Sequence, residues 1–304
     1  AVYDPSFRVA EGLWRRPAQT PTFIRYLRAN TGLTDVTLPP TDVDLVDPLL
    51  PADATPPIFL FVVDSLRPDY LEPYNPAASF TPRIAEFSAE SVVFTNAFTR
   101  YGGTGLSVPA IWAGTALPHK QYVEPFSRMN ALEKLLEANR YRRLLGLDSV
   151  MGPLLMPSPL VEELDRGVTT MDYELCRTLG ELEERLAAPP RSPPVFAYTL
   201  PQDVHMSRVT RWSTPPGDFP GFFAPYAGRV RALDACFGRF IDRLKRLGVY
   251  DESLVVLTAD HGEMLGEGGQ HGHSYHLYPQ VVQVPLIVHL PDALAAVSAV
   301  DPDA

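Results

Sequence analysis

Leu254-Val255-Val256-Leu257-Thr258-Ala259-Asp260-His261-Gly262-Glu263 is the stretch that decides the fold. Its β-branched, apolar first half breaks on a glycine, the pattern of a buried strand that delivers Asp260 and His261 at its C-terminal edge. Ile58-Phe59-Leu60-Phe61-Val62-Val63-Asp64 has the same design, an apolar run ending on a carboxylate. In open α/β sheets, ligands and catalytic groups collect at such strand ends. A third segment, Tyr101-Gly102-Gly103-Thr104-Gly105-Leu106-Ser107-Val108-Pro109, sets a hydroxyl among glycines where a helix begins. Two strand-end aspartates, a histidine and a glycine-flanked hydroxyl are the parts of a metal site that holds a nucleophile. The chain reads as a metal-dependent enzyme.

Working outward, further strands are expected at 57–64, 92–94, 143–147, 195–200 and 285–288. Helices are expected at 81–87, 104–113, 131–136, 171–186 and 226–247. The first of these helices opens on Thr81-Pro82, a cap followed by proline at the first helical position. Val230, Leu233, Phe237, Phe240, Ile241 and Leu244 mark the buried face of the last. Alternating strands and helices imply an α/β fold, a mostly parallel central sheet with helices on both faces. Residues 1–55 lack a strong strand and carry a proline-rich run, so they read as an N-terminal arm or linker ahead of a catalytic domain at 56–304.

With 304 residues, 45% of them hydrophobic, the chain can bury a large core. The formal charge of −10 argues against nucleic acid as a partner, though a bound metal can reverse the local field for a phosphate or sulfate ester. Cys176 and Cys236 lie in helical segments without metal-ligand spacing and read as buried thiols, with a disulfide between them as the lesser alternative. No stretch approaches the roughly 20 apolar residues of a membrane span. The chain opens on Ala1 rather than Met, so a mature product or a portion of a longer protein is expected.

Thr104 has two readings, a nucleophile activated by a metal or a simple helix cap. Ser107, one turn on, is the rival hydroxyl, with a packing or substrate-binding role as the other reading. Asp64, Asp260 and His261 mix carboxylate and imidazole, which suits Zn²⁺ or Mn²⁺ better than Ca²⁺. Four of the seven histidines, His261, His271, His273 and His276, fall in one Gly-rich segment. His205 follows a buried strand and points to the same rim. His119 and Lys120 come soon after the Thr104 helix, placed to meet an anionic substrate, whereas His289 lies within the last strand and reads as structural.

These residues together resemble the sulfatase branch of the alkaline phosphatase superfamily. Val62-Val63-Asp64-Ser65-Leu66-Arg67-Pro68-Asp69 is similar to its opening strand motif, and Thr258–Glu267 to its downstream metal motif. The match runs over roughly 57–290. Sulfatases proper carry Cys-x-Pro-Ser-Arg, whose first residue becomes formylglycine. Here Thr104 falls on that position, Ser107 on the motif serine, Pro109 is displaced and Val108 replaces the arginine. Thr cannot become formylglycine. Thr followed by Ser-Val-Pro resembles instead the phosphoethanolamine transferases and lipoteichoic acid synthases, which form a phospho-threonine.

The resemblance implies Asp64, Thr104, Asp260 and His261 as metal ligands. It implies His205, His271 and also His273 at the substrate phosphate, a leaving group or a second metal. Taken with the reading of the residues, His205 and His271 are expected to be catalytic, and Ser107, His119, Lys120 and His273 to bind substrate. A phosphate ester hydrolase or transferase is expected, outside the cytoplasm (periplasm or cell surface), with membrane attachment through a segment absent from this chain. The alternatives are a sulfuric ester hydrolase working without formylglycine and a catalytically silent family member that binds metal or glycan.

Overall fold

A computed structural model describes residues 55–116, 126, 129–187, 193–209 and 217–295. The expected arm at 1–55 therefore lies almost wholly outside the described residues, as do His119 and Lys120.

The chain runs through β1 (Ile58–Val63), α1 (Pro82–Ser88), β2 (Val92–Phe94), α2 (Thr104–Ala113), α3 (Ala131–Ala138), β3 (Arg142–Gly146) and β4 (Val161–Leu164). It continues through α4 (Leu175–Ala187), β5 (Val195–Thr199), α5 (Met206–Val209), α6 (Ala224–Arg246) and β6 (Leu254–Ala259). A small hairpin, β7 (Met264–Leu265) with β8 (His271–Gly272), precedes α7 (Pro279–Val282) and β9 (Leu286–His289).

The main sheet has the order β2-β9-β6-β1-β5-β3-β4. β1 pairs in parallel with β5 and β6, and β3 in parallel with β5 and β4. β9 turns antiparallel to β6 and to β2, so the sheet is mostly parallel, as the alternation of elements implies. β1 is central. Its odd-numbered residues Phe59, Phe61 and Val63 pack into a core shared with Ile84 and Phe87 of α1, Leu179 of α4, and Phe237 and Phe240 of α6. Val62 faces the other way, toward Val108 and Trp112 of α2 and Leu136 of α3. Helices thus cover both faces, which is why the strands read as near-continuous apolar runs.

Three local expectations need correction. The helix expected over 171–186 is a 3₁₀ turn at Thr170–Asp172 followed by α4, with Tyr173 extended between them. β4 escaped notice because Val161-Glu162-Glu163-Leu164 has only one fully buried residue. The third concerns the cysteines. Cys176 on α4 and Cys236 on α6 are joined in a disulfide, with Cα atoms 5.1 Å apart, rather than being separate buried thiols. Two helices packed side by side on one sheet face bring together residues that no local spacing relates.

Asp234, within α6, caps a different helix. Its carboxylate accepts the Arg83 and Ile84 amides at 3.3 and 2.7 Å, satisfying N–H groups that α1 cannot pair internally. The cap ties α1 to α6 across the core.

Candidate active site

β1 and β6 are hydrogen-bonded neighbours in register to Val63↔Ala259, so the residues that follow, Asp64 and Asp260, leave the sheet side by side. Asp64, Asp260 and His261 are all buried, and a ligand atom from each lies within 4.8 Å of the others. Thr104, the first residue of α2, closes the group. Its Oγ1 donates to Asp64 Oδ2 at 3.2 Å and stands 3.2 Å from His261 Nε2. The four residues expected to ligate a metal are brought together.

The chain makes two contortions to achieve this. Ser65 has φ 65°, a left-handed backbone that costs energy for a non-glycine residue. It is held there from three sides. Its amide donates to Asp260 Oδ1 at 3.3 Å, its hydroxyl to Asp64 Oδ1 at 2.8 Å, and its carbonyl accepts the Tyr226 hydroxyl at 2.7 Å. Gly262 is required by close approach. A Cβ there would collide with the Gln280 carbonyl, while its own amide donates to Val281 O at 2.7 Å.

His261 Nδ1 lies 2.8 Å from the Gly262 carbonyl, which can only accept, so Nδ1 carries the proton and Nε2 presents a lone pair to the carboxylates. Burial, helped by the charge of His273, lowers the His261 pKa to about 4 and keeps the ring neutral. Burial pushes Asp260 well above the ordinary carboxylate range, and the Asp64 charge adds to this. Burial also works to raise Asp64, but His205, His273 and the Gln202 hydrogen bond outweigh it and hold that carboxyl well below its usual value. Two adjacent buried carboxylates pushed apart in this way repel each other, and a cation between them would relieve that repulsion. Asp260 Oδ2 is buried and receives no hydrogen bond among the described residues. An orphaned carboxylate oxygen, a carboxylate beside it and an imidazole lone pair suit a divalent cation of the zinc or manganese kind.

Two residues of this site escaped the sequence reading. Gln202, buried after β5, donates from Nε2 to Asp64 Oδ2 at 2.8 Å. Glu263, fully buried, lies 3.1 Å from His273 Nδ1. Burial opposes protonation of His273, but Glu263, Asp64 and Asp260 overcome it and raise its pKa to about 9. The His273 ring lies 4.1 Å from that of His261, and the His205 ring 5.1 Å from that of His273. His205 and His273 thus converge on the carboxylate cluster.

His271 stands elsewhere. It is exposed on β8, opposite Leu265, and the structure brings His273 rather than His271 against His261. Ser107 is buried, its hydroxyl committed to the Tyr101 carbonyl at 3.1 Å and to Thr99 Oγ1 at 3.2 Å. It fastens the loop ahead of Thr104 instead of facing the cluster. His289 is structural, with Nδ1 3.1 Å from the Ser253 carbonyl.

A mostly parallel sheet thus brings an Asp–Asp–His cluster and a helix-start hydroxyl together at its strand ends. The chain belongs to the sulfatase family, whose model matches residues 56–303. Among curated proteins, it is similar to a low-salt glycan biosynthesis sulfotransferase of Haloferax volcanii, 44% identical over 54 residues covering 16% of this chain and 13% of that protein. It is also 32% identical over 75 residues to an N-acetylglucosamine-6-O-sulfatase of Bacteroides thetaiotaomicron, covering 25% of this chain and 13% of that one.

Among solved structures, the lipooligosaccharide phosphoethanolamine transferase A of Neisseria meningitidis superposes with a TM-score of 0.60 at 17% identity, over 83% of this chain and 51% of that one. The phosphonate monoester hydrolase of Agrobacterium radiobacter gives 0.55 at 17% identity, over 78% of this chain and 68% of that one. At these identities the likeness concerns the fold. The chain spans about half the length of the transferase and matches only a short part of each curated relative. Among the described residues no helix is long and apolar enough to cross a membrane.

Proposed function

We propose that this domain cleaves or transfers a phosphate ester through a phospho-threonine on Thr104. The observation that carries this reading is the Thr104 hydroxyl, hydrogen-bonded to Asp64 beside Asp260 and His261 at the start of α2. Asp64, Asp260, His261 and Thr104 would hold a divalent cation, with zinc or manganese suiting the donor set better than calcium. When bound, such an ion supplies the positive charge that eases ionisation of a hydroxyl and neutralises phosphoryl oxygens.

The chain's own residues supply the rest. Thr104 Oγ1 donates its hydrogen toward Asp64, which leaves a lone pair for phosphorus. At the start of α2 the Leu106 and Ser107 amides pair with the Gly103 carbonyl, which leaves the Thr104 and Gly105 amides to meet anionic charge. His205 Nδ1 faces Ser207, 2.7 Å from its hydroxyl and 3.2 Å from its amide, so Nε2 is the outward nitrogen. His205 and His273 are assigned to the phosphoryl oxygens and to the leaving group. A water or an acceptor hydroxyl then discharges the phospho-threonine.

A threonine nucleophile also explains the departure from Cys-x-Pro-Ser-Arg, since phosphoryl transfer needs no formylglycine. The disulfide between Cys176 and Cys236 supports an oxidising location such as the periplasm or cell surface. A structural neighbour, the phosphoethanolamine transferase EptC of Escherichia coli, is described as a periplasmic domain in complex with Zn.

Sulfuryl transfer is the second reading, favoured by the sulfotransferase and sulfatase names of the curated relatives. Rates on paired aryl phosphates and aryl sulfates decide between them, with the phosphate expected to turn over faster. Faster aryl sulfate turnover would select the second reading.

A further inference from the structure

Glu263 lies within the metal motif, two residues after His261, yet it is not one of the grouped ligands Asp64, Asp260 and His261. Its side chain is completely buried and faces three separate parts of the chain. His273 Nδ1 lies 3.1 and 3.2 Å from its two oxygens. The Met206 amide donates to Oε2 at 3.2 Å, immediately after His205. The Ser65 hydroxyl reaches the same oxygen at 3.4 Å while bonding Asp64 more closely at 2.8 Å. One carboxylate therefore anchors one histidine directly and the backbone carrying the other. Full burial leaves it no competing water, so each bond constrains its partner strongly.

The directions of these bonds matter. A carboxylate only accepts, so His273 donates from Nδ1 and turns Nε2 away from Glu263. His205 Nδ1 already accepts the Ser207 amide, which leaves its Nε2 as the outward nitrogen as well. The rings meet edge to face, with centroids 5.1 Å apart.

We propose that Glu263 is the positioning residue of the active site, holding His205 and His273 so that both imidazoles present Nε2 to the transferred group. The assignment of that group as phosphoryl rests on the reading above; the assignment of Glu263 as the anchor rests on the hydrogen bonds. Glu263 acts on the histidines, while Asp64, Asp260 and His261 form the metal triad without it.

Glu263→Gln tests this, because an amide of the same shape keeps one acceptor oxygen and the fold while weakening the anchor. Imidazole ¹H–¹⁵N spectra and zinc content are measured on the full chain with zinc, together with turnover of an aryl phosphate. The expected result is shifted or broadened His273 and His205 resonances, unchanged His261 resonances and unchanged zinc stoichiometry. Turnover falls about 10–100-fold, the usual cost of losing an outer hydrogen-bond partner at a metal site.

His205 and His273 resonances like those of the wild type would overturn the proposal. So would loss of zinc together with the His261 signals, which would make Glu263 a support of the metal triad. A wild-type protein that turns over no aryl phosphate would instead remove the phosphoryl reading, and the spectra alone would then decide the role of Glu263.

Discussion

Thr104 Oγ1 and His261 Nε2 lie 3.2 Å apart, although 157 residues separate them in the chain. The contact exists because α2 begins directly over the ends of β1 and β6, so a helix-start hydroxyl meets a strand-end imidazole. Both atoms also neighbour Asp64, whose Oδ2 accepts from Thr104 at 3.2 Å and whose Oδ1 lies 3.7 Å from Nε2. The proposed nucleophile and the proposed metal ligands thus form one cluster rather than two adjacent sites.

Removing a ligand from that cluster should remove the metal. Asp64→Ala and His261→Ala are expected to lose stoichiometric zinc or manganese by elemental analysis, whereas Ser107→Ala retains it. Adding zinc to metal-stripped wild type at about a thousandfold over its dissociation constant should stabilise the fold by about 4 kcal/mol. Thermal melts that zinc leaves unchanged would contradict a metal site at Asp64, Asp260 and His261.

The two hydroxyls of α2 should separate cleanly. Thr104→Ala is expected to cost on the order of 10⁶ in turnover, the scale seen when a covalent nucleophile is deleted. Ser107→Ala should leave most turnover and lower stability by about 1 kcal/mol, since it loses the hydrogen bonds to Tyr101 and Thr99. Equal losses of turnover in both variants would oppose this division.

The disulfide should act as a staple between α4 and α6. Cys176 and Cys236 are 60 residues apart in sequence, and paired Cys→Ser substitution is expected to cost about 2–4 kcal/mol. Chemical denaturation with and without a reductant measures this. Superimposable curves would show that the bridge contributes nothing to stability.

Asp234 gives a pH dependence with a defined sign. Burial raises its pKa from 3.8 to about 6, despite the two amides of α1 that it accepts. A carboxyl raised in the folded state stabilises the fold below the unfolded pKa, and that contribution is lost as pH rises through about 6. Asp234→Asn, which keeps an acceptor but cannot ionise, should therefore gain on wild type between about pH 4 and pH 7, by on the order of 2 kcal/mol. Urea melts across that range test the prediction, and a constant difference would contradict it.

The fold and the convergence of Asp64, Asp260 and His261 were legible because their signals are local. Apolar strands ending on Asp64 and Asp260 place both carboxylates at one sheet edge once the sheet is parallel, and the glycines around Thr104 mark a helix start. Gln202 was not legible. Its bond to Asp64 depends on β5 lying beside β1, a neighbour relation carried by strand order rather than by any motif. That His273 is the one lying against His261 goes with the hairpin turning at Gly272, with φ 91°, which spacing alone does not reveal. Glu263 sat in plain view within the metal motif, but its partners Ser65, Met206 and His273 come from three other segments. The Cys176–Cys236 bridge likewise needed the packing of two helices.

The central claim is that Thr104 carries the transferred group as a phosphate ester. Rapid acid quench of the metal-loaded protein during turnover of an aryl phosphate, followed by peptide mass spectrometry, addresses it directly. The expected result is a phosphoryl group on the peptide containing Thr104, located at that residue and missing from Thr104→Ala. Turnover of the aryl phosphate with Thr104 unmodified throughout, and sustained in Thr104→Ala, would contradict the account.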